Sequence, residues 1–360
     1  MDKAKLLSLL VPPSVTIKAG MKKLDETAEK ILFVVNENHK LCGTVTDGDI
    51  RRGLINGLRF EDKIEKVMCQ KFMAVHLDDE NIEERAKELM LKNKFEQIPV
   101  IDSNGIIKDV ILWTDIFGTL VRQEYYATKP NKVVIMAGGK GTRLDPFTRI
   151  LPKPLIPIGD RPVIEVIMDT FSRYGFNKFV YTLNYKKEYI KLYLQENKFS
   201  YEIEWVEEPD FLGTVGSLSL LEDKLRETFY VVNCDSLLNY DYEKILLWHK
   251  KSQAALTIVG CHNEIKIPFG VLELSNGDLV SIREKPTHDV IINTGIYIIE
   301  PKVISNIPKG RKIDMNEFID IILKRGEKVT VYPISSGWFD IGQWEEYKKC
   351  VNMLLDRDLL

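Results

Sequence analysis

A glycine-rich turn that follows a short apolar run is the first feature of this sequence that could do chemistry. The run Lys132–Met136 is rich in β-branched residues and predicts a buried strand, and the segment AGGKGTR (137–143) follows it directly. Glycine has no Cβ, so three glycines within four positions let backbone amides approach an anion closely. A helix after the turn would place that anion at the helix N-terminus. The pattern therefore predicts a phosphate-binding loop.

Two familiar phosphate-binding loops do not fit this segment. A Walker A loop needs Lys followed by Ser or Thr after its last glycine, but Gly141 is followed by Thr142 and Arg143. A dinucleotide fingerprint that starts at Gly139 needs glycine at the position of Leu144. The loop therefore belongs to neither class.

A lysine between two prolines lies a short distance downstream. Pro152 and Pro154 restrict the backbone on both sides of Lys153 and so fix where its ammonium points. The whole segment GGKGTRLDPFTRILPKPLIPI (138–158) closely resembles the signature of sugar-1-phosphate nucleotidyltransferases. That resemblance implies an α/β fold, namely a Rossmann-like, doubly wound (GT-A-like) domain with a mixed sheet.

Five further elements of that family occur in the expected order between residues 131 and 350. They are Asn-Cys-Asp (233–235), Pro-Phe-Gly-Val (268–271), Arg-Glu-Lys-Pro (283–286), Ile-Asn-Thr-Gly-Ile-Tyr (292–297) and Trp-Phe-Asp-Ile-Gly (338–342). Cys234 stands where the family usually has glycine, a departure that leaves Asp235 in place. The resemblance implies that Asp235 and Asp340 bind Mg²⁺, because carboxylates are the hard oxygen ligands that this ion prefers.

The resemblance also implies a reaction. A sugar 1-phosphate oxygen would attack the α-phosphorus of a nucleoside triphosphate, and pyrophosphate would leave. The reactants carry several negative charges, so the work is positioning and charge neutralisation. The implied catalytic residues are Arg143, Lys153 and Lys285. The implied substrate-binding residues are Ala137, Gly138, Gly139, Gly141, Thr142, Glu208, Gly213, Thr214, Asn233, Gly270, Glu284 and Asn293.

Glu208 bears on the choice of base. It lies five residues before Gly213, where the thymidylyl members of the family usually have Gln. A carboxylate offers only acceptors, and guanine presents two donors, N1–H and its amino group, so GTP is favoured. Mannose- or heptose-1-phosphate guanylyltransferases, glucose-1-phosphate uridylyl- or thymidylyltransferases, and a nucleotide sensor without turnover remain alternatives.

An internal repeat marks the N-terminal part of the chain. Residues 32–50 and 98–116 match at an offset of 66, and each copy predicts a strand, a polar turn, a second strand and a helix. Helices over 21–30 and 81–91 are predicted to precede the two copies. The pair resembles a tandem CBS (Bateman) module. The fusion of such a pair to the transferase resembles the glucosamine-1-phosphate guanylyltransferases of legionaminic acid synthesis.

The family's ligand motif, a Ser or Thr three residues before an Asp, is present in full in the first copy only. Thr46 and Asp49 match it, whereas the second copy has Asp115 with Leu112 at the hydroxyl position. The resemblance implies a regulatory adenine nucleotide at Thr46, Asp49 and Asp115. Alternatively, Thr46 and Asp49 only cap the following helix, and the module serves oligomerisation.

Composition supports two domains in a globular chain. The 360 residues are 44% hydrophobic and 29% charged, with 50 Lys and Arg against 53 Asp and Glu, which argues against general nucleic-acid binding. Five dispersed cysteines and the lack of an apolar run long enough for a membrane span favour a cytoplasmic protein that contacts no membrane. We expect a CBS module over 1–125, a transferase domain over 126–360, and a homo-oligomer.

Overall fold

The computed structural model describes residues 3–27, 29–93, 95–117 and 126–355. The chain divides into two compact units. The first unit combines residues up to 123 with the segments His262–Val290 and Pro333–Ser336. The second contains Glu124–Cys261, Ile291–Tyr332 and the residues from Gly337 onward. The predicted boundary near residue 125 adjoins residues 118–125, which lie outside the described part, and it stays a prediction.

The N-terminal part contains two copies of one β-β-α pattern. Its helices are α1 (Lys3–Ser8), α2 (Ile17–Thr27), α3 (Asp47–Ile55), α4 (Ile82–Asn93) and α5 (Trp113–Phe117), and its strands are β1 (Leu10–Val11), β2 (Ile31–Val35), β3 (Leu41–Thr46), β4 (Val75–His76), β5 (Gln97–Ile101) and β6 (Ile107–Leu112). The strands form two three-stranded sheets, β1-β2-β3 and β4-β5-β6. In both sheets the first pair is parallel and the second antiparallel. Strands β5 and β6 and helix α5 start 66 residues after β2, β3 and α3, so the structure repeats at the offset seen in the sequence.

The first helix of the repeat begins earlier than the predicted 21–30. Helix α2 starts at Ile17, which is buried, and the Thr16 hydroxyl accepts a hydrogen bond from the Ala19 amide at 3.2 Å. A threonine in this position satisfies an amide that the first helical turn leaves open. The hydrophobic spacing alone did not reveal this cap.

The remaining chain alternates strands and helices. Its strands are β7 (Val133–Ala137), β8 (Pro157–Ile158), β9 (Arg161–Pro162), β10 (Lys178–Leu183), β11 (Glu202–Glu207), β12 (Phe229–Asn233), β13 (Ser236–Leu238), β14 (Leu256–Lys266), β15 (Val271–Ser275), β16 (Asp278–Arg283), β17 (Thr287–Ile299), β18 (Val329–Ile334) and β19 (Trp338–Asp340). Its helices are α6 (Val163–Ser172), α7 (Lys187–Glu196), α8 (Tyr242–Ser252), α9 (Met315–Lys324) and α10 (Trp344–Leu355). Among the helices within the described ranges, none is both long and apolar enough to cross a membrane.

A seven-stranded sheet in the order β11-β10-β7-β12-β17-β14-β18 organises this part. Strands β11, β10, β7 and β12 are parallel, and β17 pairs antiparallel with β12. Strand β7 is followed in the chain by β10 on one side and later by β12 on the other, which makes a topological switch point. In open α/β sheets, ligands bind at the carboxyl ends of the strands at such a point. The predicted α/β class with a mixed sheet is confirmed.

Candidate active site

The glycine-rich turn leaves the carboxyl end of β7 at the switch point. Gly141 has a left-handed backbone with φ 68°, and a single 3-10 turn, Thr142–Leu144, follows it. The α-helix expected after the turn is therefore absent there, and the sequence-based expectation was wrong. Pro146 follows closely, and Pro152 comes soon after it; proline has no amide hydrogen and its ring clashes with a preceding helical turn. Phosphate binding would thus depend on turn amides and nearby cations.

Four predicted charged residues meet at this edge of the sheet. The Lys153 ammonium forms an ion pair with the Asp235 carboxylate. The Arg143 guanidinium lies 3.8 Å from Asp235 Oδ2 and 3.5 Å from Asp340 Oδ2. The side chains of Lys153 and Asp235 are 12% and 9% exposed, whereas that of Arg143 is 61% exposed. The cluster thus joins a buried ion pair to a cation that remains free to reach a phosphate in solvent.

A short antiparallel pairing sets the two aspartates side by side. Strand β13 pairs with β19 so that Ser236 lies opposite Asp340. The Ile341 amide donates to the Asp235 carbonyl at 2.9 Å, and the Trp338 indole donates to the Ser236 hydroxyl at 2.8 Å. This pairing thereby holds Asp235 next to Asp340, although the two residues are far apart in sequence.

Gly342 leaves a small space open between the charged groups, a role that the sequence did not reveal. A Cβ at this position would lie less than 3.0 Å from Asp235 Oδ2, Lys153 Nζ and Asp340 Oδ1. Its amide donates to Asp340 Oδ1 at 3.0 Å, and the Gln343 side chain donates to Asp340 Oδ2 at 2.8 Å. The only signal in the sequence was a glycine at the end of the 338–342 motif.

The two carboxylates fit the donor set that Mg²⁺ uses with phosphates. Asp235 Oδ2 and Asp340 Oδ1 both border the small space that the missing Gly342 Cβ leaves. Within the described ranges, no group of three or more His, Cys, Asp or Glu residues could hold a metal ion. Mg²⁺ commonly takes one or two carboxylates and completes its shell with water and substrate phosphate, so a two-aspartate site is suitable for it.

Glu208 is buried next to the glycine-rich turn. Only 3% of this residue is exposed, and its Oε2 accepts a hydrogen bond from the Leu212 amide at 2.9 Å. Its Oε1 lies 2.6 Å from where a Gly138 Cβ would be. Burial raises the pKa of the Glu208 carboxyl. The Thr182 hydroxyl also hydrogen-bonds this carboxyl group. Oε1 is the oxygen that lies beside the glycine-rich turn, and it is the acceptor we assign to a base.

Gly213 and Thr214, in the loop that follows Glu208, contact the segment just before α9. Gly213 has φ 84°, and a Cβ there would clash with the Ile313 carbonyl. The Thr214 amide donates to Asp314 Oδ1 at 3.0 Å, and the Thr214 hydroxyl accepts from the Met315 amide at 2.8 Å. Asp314, which the sequence analysis did not single out, thus holds the predicted substrate loop.

The other residues predicted to bind substrate divide between the two compact units. Asn233 lies at the end of β12 against Gly295, whose φ is 77°, and Asn293 accepts from the Gly295 amide at 3.0 Å. The predicted residues Gly270, Glu284 and Lys285 belong to the first unit. A Cβ at Gly270 would lie 3.0 Å from Glu284 Oε2, and Lys285 has a left-handed φ of 43°.

The predicted regulatory residues cap helices. Thr46 and Asp49 form a reciprocal capping box at the start of α3: the Thr46 amide donates to Asp49 Oδ2 at 2.8 Å, and Thr46 Oγ1 accepts from the Asp49 amide at 3.3 Å. Asp49 also pairs with Arg52. In the second copy, Asp115 accepts from the Leu112 amide at 2.8 Å. Capping is therefore observed at both sites, and nucleotide binding remains a prediction.

Sequence models of two known families match segments of this chain. The sequence model of the nucleotidyl transferase family matches residues 132–357. The CBS domain model matches residues 8–56, which confirms a CBS domain at the N-terminus.

Individual relatives use different nucleotides. The chain is 29% identical over 249 residues to the UTP–glucose-1-phosphate uridylyltransferase of Synechocystis sp., covering 63% of this chain and 64% of that protein. It is 32% identical over 236 residues to mannose-1-phosphate guanylyltransferase 1 of Arabidopsis thaliana, covering 62% and 65%. The match thus spans less than two thirds of the length of either relative.

A solved structure has a similar fold. The crystal structure of HddC from Yersinia pseudotuberculosis is 27% identical, with a TM-score of 0.52, and the match covers 62% of this chain and 99% of HddC. HddC has also been crystallised in complex with GMP-PN.

Proposed function

This chain belongs to the nucleotidyl transferase family, and on that premise we propose that it transfers a nucleotidyl group from a nucleoside triphosphate to a sugar 1-phosphate. The observation that carries the proposal is the cluster of Arg143, Lys153, Asp235 and Asp340 at the carboxyl edge of the sheet. A sensor without turnover has no need for two cations and two carboxylates around one small space. That alternative is therefore less well supported.

The reaction would proceed by in-line displacement. An oxygen of the sugar phosphate forms a bond to the α-phosphorus, and the bond from that phosphorus to the bridging oxygen of the β-phosphate breaks. The exposed guanidinium of Arg143 suits the β- and γ-phosphates, because its planar fork makes paired hydrogen bonds. Lys153 is a point charge suited to the α-phosphate, and Lys285 is suited to the sugar phosphate. None of these side chains has to form a covalent intermediate.

Asp235 and Asp340 would hold Mg²⁺, which would neutralise charge on the phosphates and help to orient them. Asp235 is paired with Lys153 and lies near Arg143, which also lies near Asp340. The two cations thus hold the carboxylates in position.

We favour GTP as the nucleotide and glucosamine 1-phosphate as the sugar substrate, as in legionaminic acid synthesis. The buried carboxylate of Glu208 supports the base, because an acceptor beside the glycine-rich turn suits an N–H donor of guanine. The sugar rests on the domain combination alone. Mannose, heptose or glucose 1-phosphate, and UTP or dTTP, are the alternatives.

A pyrophosphate-release assay with Mg²⁺, the four common nucleoside triphosphates and dTTP, and a panel of sugar 1-phosphates tests this proposal. We expect GTP to give the highest kcat/KM. Glu208→Gln should raise the transition-state free energy for GTP by about 1–3 kcal/mol and lower kcat/KM correspondingly. The reason is that one amide oxygen cannot serve both the Leu212 amide and guanine.

Glu207→Gln is the matched control for that variant. Glu207 is the adjacent glutamate, but its carboxylate is partly exposed and pairs with Lys187 and Lys191, so the base preference should stay unchanged. A wild-type preference for UTP or dTTP would overturn the guanine assignment. Release of no pyrophosphate from any pair would favour the sensor.

We further propose that the N-terminal module binds one adenine nucleotide per chain at Thr46 and Asp49. Calorimetry on the full chain with AMP, ADP, ATP and GTP should show one site. Asp49→Asn should weaken binding about tenfold or more, the effect of losing hydrogen bonds to a charged acceptor. Asp115→Asn should leave affinity unchanged, since Leu112 offers no hydroxyl. If none of the four nucleotides binds, the capping role is the whole role of these residues.

A further inference from the structure

Two segments that are distant in sequence from the N-terminal module nevertheless belong to the same compact unit. They are His262–Val290 and Pro333–Ser336. The first contains Lys285, and the second precedes Asp340 by four residues. Each is therefore the stretch of chain that carries or leads directly to a residue of the proposed reaction.

Helices α2 and α3 hold the second segment through side-chain hydrogen bonds. Arg51 Nε donates to the Pro333 carbonyl at 2.9 Å. The Ser335 hydroxyl donates to Asp47 Oδ1 at 3.2 Å, and the Ser336 hydroxyl donates to Asp25 Oδ1 at 2.8 Å. Contacts at Pro333, Ser335 and Ser336 thus hold this four-residue segment.

Arg51 is the centre of this arrangement. Its side chain is only 11% exposed, and it also pairs with Asp47 one helical turn earlier. A planar guanidinium can serve a carboxylate and a carbonyl at once in a fixed geometry. One residue therefore orients both the backbone at Pro333 and the carboxylate that Ser335 contacts.

A short connection joins this segment to the strand that carries Asp340. After Ser336 comes Gly337, with φ 86°, and then β19, which carries Asp340. The Asn239 amide donates to the Gly337 carbonyl at 2.9 Å. Asp340 thus follows the held residue Ser336 by four positions in the chain.

Lys18 of α2 holds both ends of the other segment. Its ammonium lies 3.1 Å from Glu264 Oε1 and 3.1 Å from Asp289 Oδ1. His262 Nε2 lies 2.9 Å from the same Asp289 oxygen, and the His262 ring packs on Phe60 with 4.5 Å between centroids. The strands that enter and leave the hairpin bearing Lys285 are thereby tied together at their base.

We propose that Lys18, Asp25, Asp47 and Arg51 are positioning residues for the transferase reaction, because they hold the segment that carries Lys285 and the segment that leads along the chain to Asp340. The roles of Asp340 and Lys285 rest on the proposed function. The contacts of these four residues with the two segments, here called the clamp, are structural and do not depend on it.

Hydrogen–deuterium exchange on the full chain tests the clamp without reference to activity. In Arg51→Ala, amides of 334–341 should exchange about tenfold faster, the effect of losing a charged donor, while amides of β7 keep their rate. Arg52→Ala is the matched control, because Arg52 is the next residue of α3, is 68% exposed and pairs with Asp49. It should leave 334–341 unchanged.

Kinetics then connect the clamp to the reaction. Arg51→Ala should lower kcat about tenfold with KM for the triphosphate changed less than twofold, and Arg51→Lys should recover part of the loss. Lys18→Met should accelerate exchange in 262–290, whereas Lys22→Met, the control on the exposed face of α2, should not. If Arg51→Ala does not fold, Ser336→Ala removes one contact and should still accelerate exchange in 334–341.

Unchanged exchange in both segments for Arg51→Ala, Ser336→Ala and Lys18→Met would overturn the clamp. Faster exchange with unchanged kcat would also overturn it, as the segments would then be held without effect on the reaction. A wild-type chain that releases no pyrophosphate would instead refute the proposed function, and the exchange results would still judge the clamp.

Discussion

Replacing Asp235 or Asp340 with alanine is expected to lower kcat at saturating Mg²⁺ by about 10²–10³-fold, comparable to removing a main electrostatic contact from an active site. Each carboxylate borders the space beside Gly342 and neutralises neighbouring cations. Steady-state pyrophosphate release measures the loss. Circular dichroism and the unfolding temperature establish that the fold persists.

The two variants should differ in stability. Asp235→Ala leaves the Lys153 ammonium without its partner, and this lysine is only 12% exposed, so a lower Tm is expected than for Asp340→Ala. Asp235→Asn keeps the side-chain volume and separates the loss of charge from the loss of packing. Asp223→Ala, at an exposed position, is the control and should retain full activity. Near wild-type rates in either Asp235 or Asp340 variant would remove that residue from the proposed metal pair.

Gly342→Ala is the second substitution with a large expected effect. The added methyl group would lie less than 3.0 Å from atoms of Asp235, Lys153 and Asp340, and contacts that short force the charged groups apart. Because displacing catalytic groups by about 1 Å can cost a hundredfold in rate, we expect kcat to fall by about 10²-fold. KM for the triphosphate should change less, since Arg143 is exposed and can still reach it.

Gly48→Ala separates this local effect from a general cost of adding a methyl group. At Gly48 the Cβ would meet its neighbours at 3.4 Å or more, and alanine is favoured over glycine in a helix by about 1 kcal/mol. That variant should be fully active and at least as stable as the wild type. If Gly342→Ala retained wild-type kcat, the small space between the carboxylates could not be where the metal binds.

The segment after the glycine-rich turn is one place where the structure differs from the sequence-based prediction. The β-branched run and its glycines identified β7 and the loop correctly, because both depend on residues that are neighbours in the chain. The helix expected after the loop is replaced by a single 3-10 turn. Pro146 and Pro152 disfavour an α-helix there, because proline has no amide hydrogen and its ring clashes with the preceding turn.

The sequence by itself determined the elements of this protein and the residue types available for chemistry. The repeat at an offset of 66, the motif around Lys153 and the two aspartates were all visible in it, since each depends on local composition and spacing. Only the tertiary structure decided which of these residues meet. Lys153 contacts Asp235 because β12 lies beside β7 in the sheet, and Gly342 borders the same two side chains because β19 pairs with β13. Arg51 contacts Pro333 although 282 positions separate them. Such contacts follow from strand order and packing between distant segments, and spacing along the chain does not encode them.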